Sequence, residues 1–111
     1  ENAMLYENVF IFSGQLSKKS AEDKLEESLE IIKKSGGKIL KKEYWGLRDL
    51  AYKIKKNSKG YYFMINCECE HSLLKEFNIK VKQDLSFLRF LHLKIKEVEK
   101  EASILSENKS D

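Results

Sequence analysis

Between Tyr44 and Phe63 the chain reads Tyr-Trp-Gly-Leu-Arg-Asp-Leu-Ala-Tyr-Lys-Ile, passes through a basic stretch containing Lys55, Lys56 and Lys59, and resumes as Gly60-Tyr61-Tyr62-Phe63. Aromatic, aliphatic and cationic residues interleave here at strand spacing, on either side of a turn. Successive side chains of a strand point to opposite faces, so alternate positions can hold opposite chemistry. One set is Leu50, Tyr52 and Ile54; the other is Asp49, Ala51 and Lys53. One set is expected in a core and the other at solvent or a partner, which is the pattern of a binding surface and not of a catalytic cleft.

The length of 111 residues suits one two-layer domain and is too short for a catalytic domain with a separate binding domain. With 41% hydrophobic and 35% charged residues, the chain is expected to be soluble and globular. No apolar run approaches the roughly 20 residues that span a bilayer, and no cleavable signal pattern marks the amino end, so a cytosolic protein is expected. Glu1-Asn2-Ala3 before Met4 has the look of a tag remnant. The expected organisation is a single domain over 4–96 followed by a charged, flexible tail over 97–111.

Turn signals and periodicity divide the domain into six elements. Leu5 to Phe12 reads as a strand ending at Ser13-Gly14. Ser17 is an N-cap for a helix whose Ala21, Leu25, Leu29 and Ile32 share a face, and Ser35-Gly36-Gly37 ends it. A second strand runs from Lys38 to about Ile54, with Gly46 marking a bulge. Lys55 to Gly60 is expected as a hairpin loop and Tyr61 to Cys69 as the third strand. After Glu70-His71-Ser72, with His71 expected to cap the helix start, Leu73, Leu74, Phe77 and Val81 share a second helical face. Phe87 to Ile95 is the fourth strand. The order β-α-β-β-α-β predicts an α+β, ferredoxin-like fold: a four-stranded antiparallel sheet with two helices on one face and the other face open to a partner. In the tail, Val98, Ala102 and Leu105 fall at helical spacing, so a frayed helix or a disordered end is expected.

The net charge is only +3, but Lys38 to Lys59 holds eight cations against two acids. A local basic patch steers a polyanion even when the whole-chain charge is small, although a lysine-rich solvated hairpin would look the same. The candidate phosphate contacts are Lys41, Lys42, Arg48, Lys53, Lys55, Lys56, Lys59, Arg89 and Lys94. Arg48 and Arg89 are the only arginines. Their planar forks suit phosphate, and equally suit an ordinary salt bridge to Glu43, Asp49 or Asp84.

Cys67, Cys69, His71 and His92 are weak metal candidates, because an i, i+2 thiol pair lacks the spacers of common zinc sites. Two small buried hydrophobes describe the cysteines better. The glycines at 36 and 37 follow a helix instead of preceding one, so they do not make a phosphate-binding loop. No catalytic constellation, cofactor site or metal site is expected.

Several of these residues together resemble the bacterial small-subunit ribosomal protein number six family. They are Tyr6-Glu7, Gly36-Gly37-Lys38, Tyr44-Trp45-Gly46-Leu47-Arg48 through Leu50, Tyr52 and Ile54, Tyr61-Tyr62, and Phe87-Leu88-Arg89. The resemblance spans about Met4 to Lys96. Lys53 stands where many members have proline, and Ser86 where an acid is common. The resemblance implies a non-enzymatic constituent of the small (30S) subunit in the cytoplasm. It further implies pairing with small-subunit ribosomal protein number eighteen and binding, as a heterodimer, to the central domain of 16S ribosomal RNA. Arg48, Lys53, Lys55, Lys56, Lys59, Arg89 and Lys94 would then contact RNA, while Trp45, Leu47, Tyr52, Tyr61 and Phe63 would face the protein partner. A stand-alone single-stranded nucleic-acid binder, stacking bases on Tyr61 and Phe63, is the alternative. An acylphosphatase-like enzyme or a small-molecule sensor is a more distant reading.

Overall fold

A computed structural model describes residues 3–107, so the first two residues of the supposed tag remnant and the last four of the tail lie outside the described residues. Six elements follow in the expected order: β1 (Met4–Ser13), α1 (Lys18–Lys34), β2 (Lys38–Ile54), β3 (Asn57–Cys69), α2 (His71–Gln83) and β4 (Phe87–Lys94). The strands form one antiparallel sheet in the order β2-β3-β1-β4. The fold is therefore ferredoxin-like, as the sequence predicts.

The helix ends are built from the residues expected to build them. Ser17 Oγ accepts the Ser20 amide at 3.1 Å and caps α1. At the other end Gly36, with φ of +92°, donates to the Lys33 carbonyl at 3.1 Å, and Gly37 donates to the Ile32 carbonyl at 2.9 Å. Those two bonds form a Schellman closure, which requires the left-handed residue that glycine supplies without strain. At the start of α2, Glu70 occupies the cap position without a side-chain bond, and His71 is already helical. The His71 cap is thus corrected: its ring faces the Tyr6 hydroxyl across 3.4 Å.

One face of the sheet is dry and aromatic. Ala21, Leu25, Leu29 and Ile32 of α1 and Leu73, Leu74 and Phe77 of α2 are buried against Tyr6, Phe10, Phe12, Phe63, Ile65, Phe87 and Phe90. Phe10 meets Phe77 edge-on with centroids 5.4 Å apart, and Phe12 packs on Phe87 at 5.0 Å. Cys67 and Cys69 belong to this core, with their sulfurs 3.7 Å apart. Contact with Cys67 and burial together push the Cys69 thiol far up, so it stays protonated. Asn8 is a polar exception, donating from Nδ2 to the Ile65 carbonyl and to Cys67 Sγ, each at 3.2 Å.

The hairpin turn is shorter than expected. Strand β3 starts at Asn57 and not at Tyr61, leaving only Lys55 and Lys56 between the strands. Both have positive φ, 48° and 66°, as a tight type I′ turn demands and as lysine adopts only at a cost. Asn57 offsets that cost by donating to the Ile54 and Lys55 carbonyls at 3.3 and 2.9 Å. The alternation expected along β2 does not continue to its end. The β2 register breaks between Asp49 and Ile54, and Tyr52 is 72% exposed there.

No helix forms in the described part of the tail. Residues 99–107 instead follow an irregular path along β2, on the sheet face that the helices leave open.

Candidate nucleic-acid interface

The cationic candidates fall into three groups. At the hairpin tip Lys53, Lys56 and Lys59 are exposed, and among the described residues only Lys59 has an acidic neighbour, Asp49 at 3.9 Å, in an ion pair too solvated to hold it. Lys55, in the same turn, points the other way. Its ammonium donates to the Val81 carbonyl, to the Asp84 carbonyl at 3.1 Å and to the Phe87 carbonyl at 2.9 Å. These carbonyls lie at or beyond the carboxyl end of α2, where a cation is favoured. Lys55 is therefore a structural staple, and its assignment as an RNA contact is corrected.

The second group lies on the open face of β2. Register pairs Glu43 with Met64, Lys41 with Asn66 and Arg48 with Gly60, all opposite to the helices. Glu43 is buried and accepts from Trp45 Nε1 at 2.8 Å, from the Ser103 amide at 2.9 Å and from the Lys41 ammonium at 3.4 Å. Burial alone would raise the Glu43 pKa, but these donors outweigh it and hold the carboxyl below its ordinary value. Arg48 forms neither the expected salt bridge nor a free fork. Its Nε donates to the Trp45 carbonyl at 2.7 Å and its Nη2 to the Leu105 carbonyl at 3.1 Å. Lys42, on the helix side, is committed to Glu26 at 2.6 Å.

The third group is dispersed. Arg89 is exposed, paired in register with Ile11, and borders a groove with Leu50, Tyr52, Ile54 and Leu91. Lys94 is exposed but pairs with Tyr6, about 20 Å along β1 from the hairpin end at the strand rise. The structure brings Arg89 near the hairpin and leaves Lys94 apart from it.

Of the apolar candidates, Trp45 is half-buried beside the tail, while Leu47 and Tyr52 are exposed at 44% and 72%. Tyr61 and Phe63 are buried on the helix side, with Tyr61 donating its hydroxyl to the Leu16 carbonyl at 2.9 Å. Both are removed from the partner surface, because the alternation of β3 keeps its odd-numbered residues on the helix side, opposite Phe10 and Phe12. His71 and His92 pack against each other and against Tyr6, with ring centroids 6.2 to 6.3 Å apart. Among the described residues, no three His, Cys, Asp or Glu side chains converge as metal ligands would.

With the geometry in place, relatives of the chain become informative. Residues 5–94 match the family described as ribosomal protein S6, which is nearly the whole β-α-β-β-α-β unit. The chain belongs to the ribosomal protein S6 family. The small ribosomal subunit protein bS6 of Parvibaculum lavamentivorans is 37% identical over 107 residues, covering 96% of this chain and 69% of the relative. The bS6 of Rickettsia prowazekii is 37% identical over 105 residues, covering 95% of this chain and 87% of its own. The crystal structure of 30S ribosomal protein S6 from Thermotoga maritima superposes with a TM-score of 0.74 at 29% identity, covering 84% of this chain and 88% of that one. As an S6 protein of the small subunit, the chain is a structural component of the cytoplasmic ribosome and not an enzyme.

The residues that sequence reasoning missed are Lys55 as a staple and the Glu43–Trp45–Ser103 cluster. The first had a faint signal, a cation two residues before the hairpin resumes. The second had none, because a backbone amide carries no mark of residue type.

Proposed function

We propose that this S6 protein organises the central domain of 16S ribosomal RNA together with small-subunit ribosomal protein number eighteen. A single domain over 4–96 carries that role, with 97–111 as an appended segment. The observation that carries the RNA part is the hairpin tip, where Lys53, Lys56 and Lys59 stand exposed on a rigid turn, with Arg89 across the open face. Phosphates are neutralised there and counterions released, while the RNA is read by shape and backbone. The protein partner is best accommodated by the exposed apolar side chains Leu47, Tyr52, Leu91 and Leu93. Burial of Tyr61 and Phe63 weighs against a stand-alone single-stranded binder, whose stacking platform those rings would have supplied.

The test is a salt titration of binding to the central-domain fragment in the presence of protein number eighteen. Replacing Arg48 and Lys56 by Gln should weaken binding and lower the slope of log affinity against log salt by about 0.7 to 0.9 for each lost phosphate contact. An unchanged slope would remove both residues from the interface.

A further inference from the structure

The strand face that carries Arg48 is already occupied by the chain itself. Two cations of β2 donate to tail carbonyls: Lys41 Nζ to those of Glu99 and Glu101 at 2.7 and 2.6 Å, and Arg48 Nη2 to that of Leu105 at 3.1 Å. Two tail amides donate in return, Ser103 to Glu43 Oε2 at 2.9 Å and Glu107 to the Tyr44 carbonyl at 2.6 Å. The Glu107 carboxylate lies over Gly46, where an added Cβ would collide with Oε2. Burial of Tyr44 and, second to it, the Glu107 charge raise the pKa of that phenol.

The tail is also the right kind of occupant. From Lys96 to Glu107 it carries Glu97, Glu99, Glu101 and Glu107 against Lys96 and Lys100, an acidic segment laid along a basic strand. Its carbonyl oxygens take the donors that phosphate oxygens would take. A lysine ammonium or an arginine nitrogen already aimed at a carbonyl must turn away from it to serve a phosphate in the same place. The bonds from Lys41 and Arg48 to the segment are at the surface and individually modest, while that of Ser103 to Glu43 is partly buried, so a polyanion offering several charges at once competes for the exposed donors.

We propose that residues 99–107 form a strap that competes in cis with RNA phosphates for Lys41 and Arg48. The inference rests on the RNA-binding reading above. RNA engages this part of β2 only in the fraction of molecules whose strap has lifted, and the apparent affinity is reduced by that fraction.

The full-length chain bearing Ser103→Pro and Glu107→Pro tests this. Proline has no N–H, so both amide donors to β2 are lost while every residue of β2 is kept. Both positions lie outside the helices and strands, so the fold itself is not at stake. Trp45 is the only tryptophan, borders the strap beside Ser103 and Ile104, and donates to Glu43, so its emission reports the strap directly. The expected results are a red-shifted emission in the free variant and binding to the central-domain 16S fragment about three- to tenfold tighter than that of the unmodified chain. A shifted emission with equal affinity would overturn the competition and leave the RNA reading intact. Weaker binding would overturn it too, by making the strap part of the RNA surface. Unshifted emission would overturn the proposal, because a segment held on β2 through these amides must move when both are removed. Binding by neither chain would remove the RNA reading and the inference with it.

Discussion

The helix-covered face of the sheet and its open face use the same strands and opposite chemistry. On the covered face Phe10, Phe12, Phe63 and Phe77 interlock with almost no exposure, and shape holds them together. On the open face Lys41, Glu43 and Arg48 are held by hydrogen bonds to one irregular segment, and Trp45 by its bond to Glu43. Packing of the first kind is lost only by unfolding. Hydrogen bonds of the second kind can be exchanged for bonds to another molecule, so one face stabilises the protein while the other remains available.

The comparison breaks most visibly at Phe63. Phe63→Ala should destabilise by about 3 to 5 kcal/mol, because the removed ring leaves a cavity between Phe12 and Tyr44. A shift in the urea midpoint at constant slope would measure it. A loss below about 1 kcal/mol would mean that the covered face is less tightly packed than described.

Lys55→Met comes next, at about 2 kcal/mol, since three carbonyls near the end of α2 lose a charged donor. The same variant sharpens the division of labour within the turn. Its RNA salt slope should match that of the unmodified chain, whereas a flatter slope would return Lys55 to the interface.

The smallest effect belongs to the open face. The carboxyl of Glu43 titrates lower in the folded chain than in the unfolded one, so its contribution is complete above the ordinary glutamate value near 4.3. It is lost as pH falls below that value and through the depressed folded one. Asp84, held down against the effect of its burial by Lys24 and the Ser86 amide, adds to the same acid-side loss. Glu43→Gln should cost about 1 kcal/mol at neutral pH and make the fall in melting temperature on acidification shallower. Identical acid slopes would assign the loss to Asp84 and other carboxylates.

These faces also differ in how far the sequence reveals them. The covered face is legible because burial imposes a period: Ala21, Leu25, Leu29 and Ile32 repeat every three or four residues, and Phe63, Ile65 and Cys67 every two. The same alternation was misassigned at Tyr61 and Phe63 because an aromatic residue on a strand looks alike on either face. The turn is shorter than its sequence suggests because glycine, and not lysine, is the usual sign of positive φ. The seat of the tail left no trace, since its contacts are made largely by backbone atoms that every residue possesses.

Strand β1 lies inside the sheet, paired with β3 on one side and β4 on the other. Of the six elements it is the first to be synthesised and the last to be completed. At about 5 to 20 residues per second, Met4–Ser13 waits roughly 4 to 16 s before Lys94 is made. Throughout that interval Phe10 and Phe12 have no β4 to close over them. The sheet of a newly made copy therefore cannot close until β4 has been translated, and β1 is the strand that most needs shielding from other chains in the meantime.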